Sequence, residues 1–159
     1  MNFEKLNNWL SLTANLGVLV GIIFLTYEIQ QSNRIATSTT EIELRNQMGV
    51  INSAIYSDKE LAEIEDQVWL GKTDFSTLET TRYSIWLVQL VNLWISIEVA
   101  YENGIAPERT YGVMFDSMNL YLAQPFAQDR LRVILTEFSS LSDTVVFQHI
   151  DEQLSKIGK

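Results

Sequence analysis

This sequence predicts an all-α protein: an N-terminal transmembrane helix followed by a bundle of five or six helices. Three observations carry that expectation. Leu6 to Tyr27 runs without a formal charge around the apolar centre Leu16-Gly17-Val18-Leu19-Val20-Gly21-Ile22-Ile23-Phe24-Leu25. Beyond it, apolar residues recur at helical spacing, and no strand pattern, internal repeat or low-complexity segment stands out. Two prolines and seven glycines in 159 residues leave little material for turns.

The uncharged stretch makes ~33 Å of helix at ~1.5 Å per residue, about the thickness of a bilayer's hydrocarbon core. A secretory signal would show a basic start, a shorter apolar core and a small-residue cleavage site soon after it. Here Glu4 and Lys5 cancel, and the small triplet Ala36-Thr37-Ser38 lies well beyond the core. Asn7, Asn8, Ser11, Thr13 and Asn15 make the first half polar, as in a helix buried in a soluble bundle, yet length and apolar centre favour a span. Trp9 and Tyr27 suit the two interfaces. Arg34 and Arg45 after the span outnumber Lys5 before it, which places the C-terminal part in the cytoplasm. The absence of cysteine is compatible with a reducing compartment.

The remaining ~130 residues suit one compact domain. Seven Phe, six Tyr and four Trp supply a core. A net charge of −9 argues against a nucleic-acid partner and against a domain lying on anionic lipid, since both need basic surface. Most simply, the acidity serves solubility.

After the span, Leu44, Met48, Ile51 and Ile55 mark one face of a helix running to about Tyr56, with a weak point at Thr37-Ser38-Thr39-Thr40. Ser57-Asp58-Lys59-Glu60 reads as a capping box opening a short helix that buries Leu61, Ile64 and Val68 and stops at Gly71. A second capping box, Ser76-Thr77-Leu78-Glu79, opens the longest helix of the domain, from Leu78 to about Asn103. Its uncharged run Tyr83–Ile97 is apolar on most sides but short of the ~20 residues a second span needs, which favours a central bundle helix. Asn103-Gly104 reads as a stop, and Pro107 as the first position of the next helix, with Tyr111, Phe115, Met118 and Leu122 as its buried stripe. Pro125 starts another, burying Ala127, Leu131, Ile134 and Phe138. Ser142-Asp143 starts the last, with Val146, Ile150 and Leu154 inward. The organisation expected is an anchor over 1–31, a juxtamembrane helix over 32–56 and a helical bundle over 57–159.

The sequence offers no catalytic signature. A lone His149 without Glu-x-x-His spacing, and no cysteine, leave no metal site to expect; His149 reads as a surface or boundary residue. Nucleophile-elbow, phosphate-loop and dinucleotide motifs are absent, so no cofactor is expected. Glu98 and Glu102, one turn apart, read as acids on the wet end of a helix rather than as a shared-proton pair. Asp58, Glu60, Glu63, Glu65 and Asp66 read as a solvated face.

The span is the more informative object. At about 100° per residue, Thr13, Gly17, Gly21 and Phe24 share one side, with Glu28 on that side just past the core. Small residues four apart let helix backbones approach in lipid. Asn8, Ser11, Asn15, Ile22 and Thr26 share the opposite side. The Asn15 amide, inside the bilayer, needs a partner, which argues for a homo-oligomer or another membrane protein beside it. The alternative is a channel subunit, with Asn8, Ser11, Asn15 and Thr26 lining a pore, Ile22 as its constriction and Glu28 as a cation-attracting ring at its mouth.

Gly17-Val18-Leu19-Val20-Gly21-Ile22-Ile23-Phe24-Leu25-Thr26-Tyr27-Glu28-Ile29-Gln30-Gln31-Ser32-Asn33-Arg34 resembles the span and junction of a family of small bacterial proteins with one N-terminal span and a helical domain. Tyr56-Ser57-Asp58-Lys59-Glu60-Leu61 and Tyr101-Glu102-Asn103-Gly104 are looser matches. Gln30 stands where that junction usually has Arg, and Ser32 where it has Asn, which weakens any basic lipid contact there. The resemblance implies a bacterial inner-membrane location and carries no activity. The expectation is therefore a non-enzymatic, membrane-anchored scaffold or adaptor acting through assembly.

Overall fold

The computed structural model describes residues 3–157, and of residues 4–6 the backbone alone. The Glu4–Lys5 pair weighed above therefore lies outside the described side chains. Every regular element is helical: α1 Phe3–Ser57, α2 Lys59–Trp69, α3 Thr77–Glu102, α4 Glu108–Leu122, α5 Pro125–Glu137 and α6 Val145–Ile157, with a 3₁₀ turn at Ser139–Leu141. The chain divides into two compact units, Met1–Ser38 and Thr39–Lys159. The helix is continuous through the threonine run at 37–40, and the division between units falls within that run.

In the first unit, apolar side chains from Trp9 to Ile29 are exposed on every side of α1. Threonine hydroxyls bond back to the carbonyl four residues earlier: Thr13 to Trp9 at 2.8 Å, Thr26 to Ile22 at 2.8 Å and Thr37 to Asn33 at 3.0 Å. Such bonds let a hydroxyl sit on an apolar helix without an outside partner.

The second unit is built around α3. Tyr83, Trp86, Leu87, Leu90, Val91, Leu93, Trp94 and Ile97 are buried along it, and 56% of its most apolar window lies inside the fold. Its apolarity on most sides thus has the ordinary cause, neighbours on most sides. Leu44 and Ile51 of α1 join that core, as do Leu61, Ile64 and Val68 of α2. Of the juxtamembrane helix expected over 32–56, Leu44 and Ile51 thereby contribute to the bundle core. Tyr121 is the aromatic hub, with ring centroids 5.6 Å from Trp69, 5.5 Å from Trp86 and 6.2 Å from Trp94. Such tilted aromatic contacts add to the area they bury.

The helix ends show which sequence signals operate. Ser76 and Glu79 form the reciprocal capping box expected of them. Ser57 does not: it ends α1, and Asp58 caps α2 instead, its carboxylate accepting from the amides of Glu60 and Leu61 at 3.0 and 3.1 Å. A second demand explains the shift, because the same carboxylate also accepts from Arg82 Nη1 at 3.0 Å. Gly71 and Gly104 stop their helices at φ +86° and +68°, a region open to glycine at little cost. Pro107 occupies the cap position of α4 rather than its first turn, one residue from expectation. Pro125 starts α5 as read.

Two packing expectations and one helix start need correcting. Tyr111 and Phe115 only partly enter the core, because the buried face of α4 runs through Met114, Met118 and Leu122. Phe138 is exposed because α5 ends at Glu137 and the chain turns away there. The last helix begins at Val145, two residues beyond Asp143.

Candidate functional site

Two places concentrate what a helical chain of this kind can use: the exposed apolar helix of the first unit, and the buried acids of the second.

In α1, the most apolar stretch is 0% buried. Gly17 and Gly21 meet nothing within 4 Å of where a Cβ would stand, so packing within the chain does not require their smallness. With Thr13 they form one face of a regular helix. Asn8, Ser11, Asn15, Ile22 and Thr26 lie exposed on the other. Thr26 is satisfied internally. Among the described residues, the side chains of Asn8, Ser11 and Asn15 have no hydrogen-bond partner in the chain. Glu28 is exposed, on the glycine side.

In the bundle, two carboxylates expected at the surface are buried. Glu98, 4% exposed, reaches from α3 to the start of α6, where it accepts from the backbone amides of Val145 at 2.7 Å and Val146 at 2.9 Å. The first turn of any helix has amides with no partner inside the helix, and its end carries partial positive charge. Glu98 answers both. Its neighbour Glu102 remains exposed, so the two acids do not act as a pair.

Glu65, 7% exposed, accepts from Trp69 Nε1 at 3.0 Å and from the Tyr121 hydroxyl at 3.2 Å, both on Oε1. Its Oε2 and the buried Tyr83 hydroxyl have no partner. Burial pushes the Glu65 carboxyl above the usual carboxylate range, against the pull of the two hydrogen bonds. Burial likewise raises the Tyr83 and Tyr121 phenols, with the Glu65 charge adding to both. Helical phase could have revealed these acids: Glu65 follows Leu61 by four and precedes Val68 by three, and Glu98 follows Trp94 by four. The acidic run around Glu65, and the place of Glu98 near the polar end of its helix, concealed them. Asp58, Glu60, Glu63 and Asp66 are not buried.

His149 stands at the boundary, as read. Its Nε2 is 2.9 Å from Asn119 Oδ1 and its ring meets Phe115 edge-on at 4.9 Å. Burial lowers its pKa. Among the described residues, no group of three or more His, Asp or Glu is placed to hold a metal ion. Open grooves also mark the bundle surface. One of about 480 Å³ runs between α1 and α3 beside Asn46, Gln47, Gln89 and Asn92; another of about 450 Å³ runs between α3 and α5.

These features define an all-α protein with an exposed apolar N-terminal helix and a separately packed acidic bundle. No protein-family model, curated protein or solved structure matches the chain.

Proposed function

We propose that this protein is a single-pass membrane protein whose N-terminal helix crosses the bilayer and brings copies of the chain together, while the bundle serves as a scaffold or adaptor surface. One observation carries the reading. The apolar stretch of α1 buries none of its side chains within the chain, and a helix apolar all round needs surroundings as apolar as itself. Gly17 and Gly21, free of any contact at the Cβ position, support close helix–helix approach as the mode of assembly. The unpartnered Asn15 amide supports the same conclusion, because a second helix can supply its hydrogen bond. The resemblance described above supports a bacterial inner membrane as the location, and the Arg34/Arg45 excess supports a cytoplasmic bundle. No catalytic role, cofactor or nucleic-acid partner belongs to this reading.

A pore lined by Asn8, Ser11, Asn15 and Thr26 is the second reading, favoured by the exposure of those side chains on one face. Glu28 counts against it: it shares the glycine face, so a ring of Glu28 carboxylates would not sit over a lumen on the Asn15 side. Assembly is preferred.

Fractionation of cells expressing the full chain tests the anchor. The protein should remain in the membrane pellet after alkaline carbonate extraction, with its N-terminal residues retained in the intact mass. Release into the supernatant, or loss of the apolar segment by cleavage, would overturn the reading. Ion flux through liposomes that changes with Asn15→Leu would favour the pore instead.

A further inference from the structure

We propose that the α3–α5 face of the bundle is a self-complementary docking surface for a second copy of this chain. This surface takes the assembly proposed above as its setting, but it lies wholly within the second unit. Apolar side chains outside the core line the α3–α5 groove: Ile85 is 59% exposed, Phe138 41% and Val133 39%. Two opposite charges line the same groove, Arg130 and Glu137. They stand two turns apart on α5, ~10 Å along the axis at ~1.5 Å per residue, too far to pair with each other.

Among the described residues, neither has an ion-pair partner, whereas Arg132 on the same helix is paired with Asp129. Arg130 is held in place nonetheless. Its guanidinium lies 5.7 Å from the Phe126 ring centroid, and its Nε is buried with no acceptor. The buried Nε is out of a partner's reach, but the guanidinium carries further N–H donors, and a carboxylate is the group whose geometry best matches them.

A second copy supplies that carboxylate with no further component. In a two-fold contact, each residue meets its counterpart's partner reciprocally. If two α5 helices lie antiparallel across the axis, Arg130 of each faces Glu137 of the other. Val133 then lies near the axis, between the two ion pairs. Opposite charges flanking an apolar midpoint are what such a contact requires. A single acid on an unrelated protein would satisfy Arg130 and leave Glu137 unanswered.

The chain has no cysteine, so single cysteines report contacts cleanly. Val133→Cys in the full chain, reconstituted in lipid and mildly oxidised, should give a disulfide-linked dimer. Adding Arg130→Glu or Glu137→Arg should abolish it. Mixing those two variants in equal amounts should restore it, because each then supplies the charge the other lacks, and a misfolded variant could not be rescued by mixing. A dimer band indifferent to both reversals, or one lost and not restored by mixing, would overturn the inference. So would cross-linking through Val18→Cys in the span with none through Val133→Cys, which would leave span-driven assembly standing alone. Cross-linking through Val133→Cys in a chain that carbonate releases from membranes would support this surface and overturn the span.

Discussion

The carboxylate of Glu98, buried in the longest helix of the bundle, accepts from the backbone amide of Val145 at 2.7 Å, with Val146 beside it at 2.9 Å. One side chain of α3 thereby caps and positions α6. Glu98→Leu leaves two first-turn amides without acceptors inside the fold, at a cost of about 2–4 kcal/mol. Glu98→Gln keeps one acceptor and should lose less. Chemical unfolding of the full chain in mild detergent, followed by tryptophan fluorescence, measures both. Equal stability of Glu98→Leu and wild type would refute the capping role.

Glu65 gives a pH dependence of defined sign. Its carboxyl is raised above the ordinary value of 4.5, so the folded state holds the proton more tightly than the unfolded chain. Stability from this group is therefore fully present below about 4.5 and declines as pH rises through the folded pKa. Glu65→Gln should remove that decline while keeping an acceptor for Trp69 and Tyr121. Thermal midpoints of the two proteins should converge at low pH and separate towards neutrality, with the Gln variant the more stable. A wild type gaining on the variant as pH rises would contradict this.

At the junction of α1 and α2, Asp58 and not Ser57 holds the cap and the Arg82 contact. Asp58→Ala should lower the thermal midpoint by several degrees, while Ser57→Ala should leave it nearly unchanged. A larger effect at Ser57 would restore the capping box read from the sequence.

In the apolar stretch of α1, Val18 and Ile22 are exposed side chains with no role in the bundle core. Replacing both with arginine adds about 2.5–3.5 kcal/mol per residue to insertion at the centre of a membrane helix. The double variant should shift from the membrane pellet to the soluble or aggregated fraction while its bundle keeps wild-type tryptophan fluorescence. Unchanged membrane retention would argue that α1 is held by protein rather than lipid.

The sequence made the helices legible because their apolar spacing is regular: the Leu61, Ile64 and Val68 face and the Val146, Ile150 and Leu154 face both enter the core. Composition likewise pointed to the all-α class. What escaped were polar groups whose environment is tertiary. Glu65 looked like a member of an acidic run and Glu98 like an acid on the wet end of its helix, and only the approach of Tyr121 and of the α6 amides gives them partners. Arg130 could have been placed over Phe126 from their four-residue spacing on α5, but its lack of an ion-pair partner is tertiary and had no signal in the sequence. Helix starts slipped by one or two residues: Asp58 rather than Ser57 caps α2, Pro107 caps α4 rather than opening it, and α6 begins at Val145.

Native mass spectrometry of the full chain in lipid nanodiscs tests the central claim most directly, with the Gly17→Leu/Gly21→Leu double variant measured alongside. Assembly through the span requires one discrete oligomer for the wild type and a smaller species for the variant, because the added side chains hold the helices apart. A monomeric wild type, or an oligomer that the double variant leaves unchanged, would contradict it.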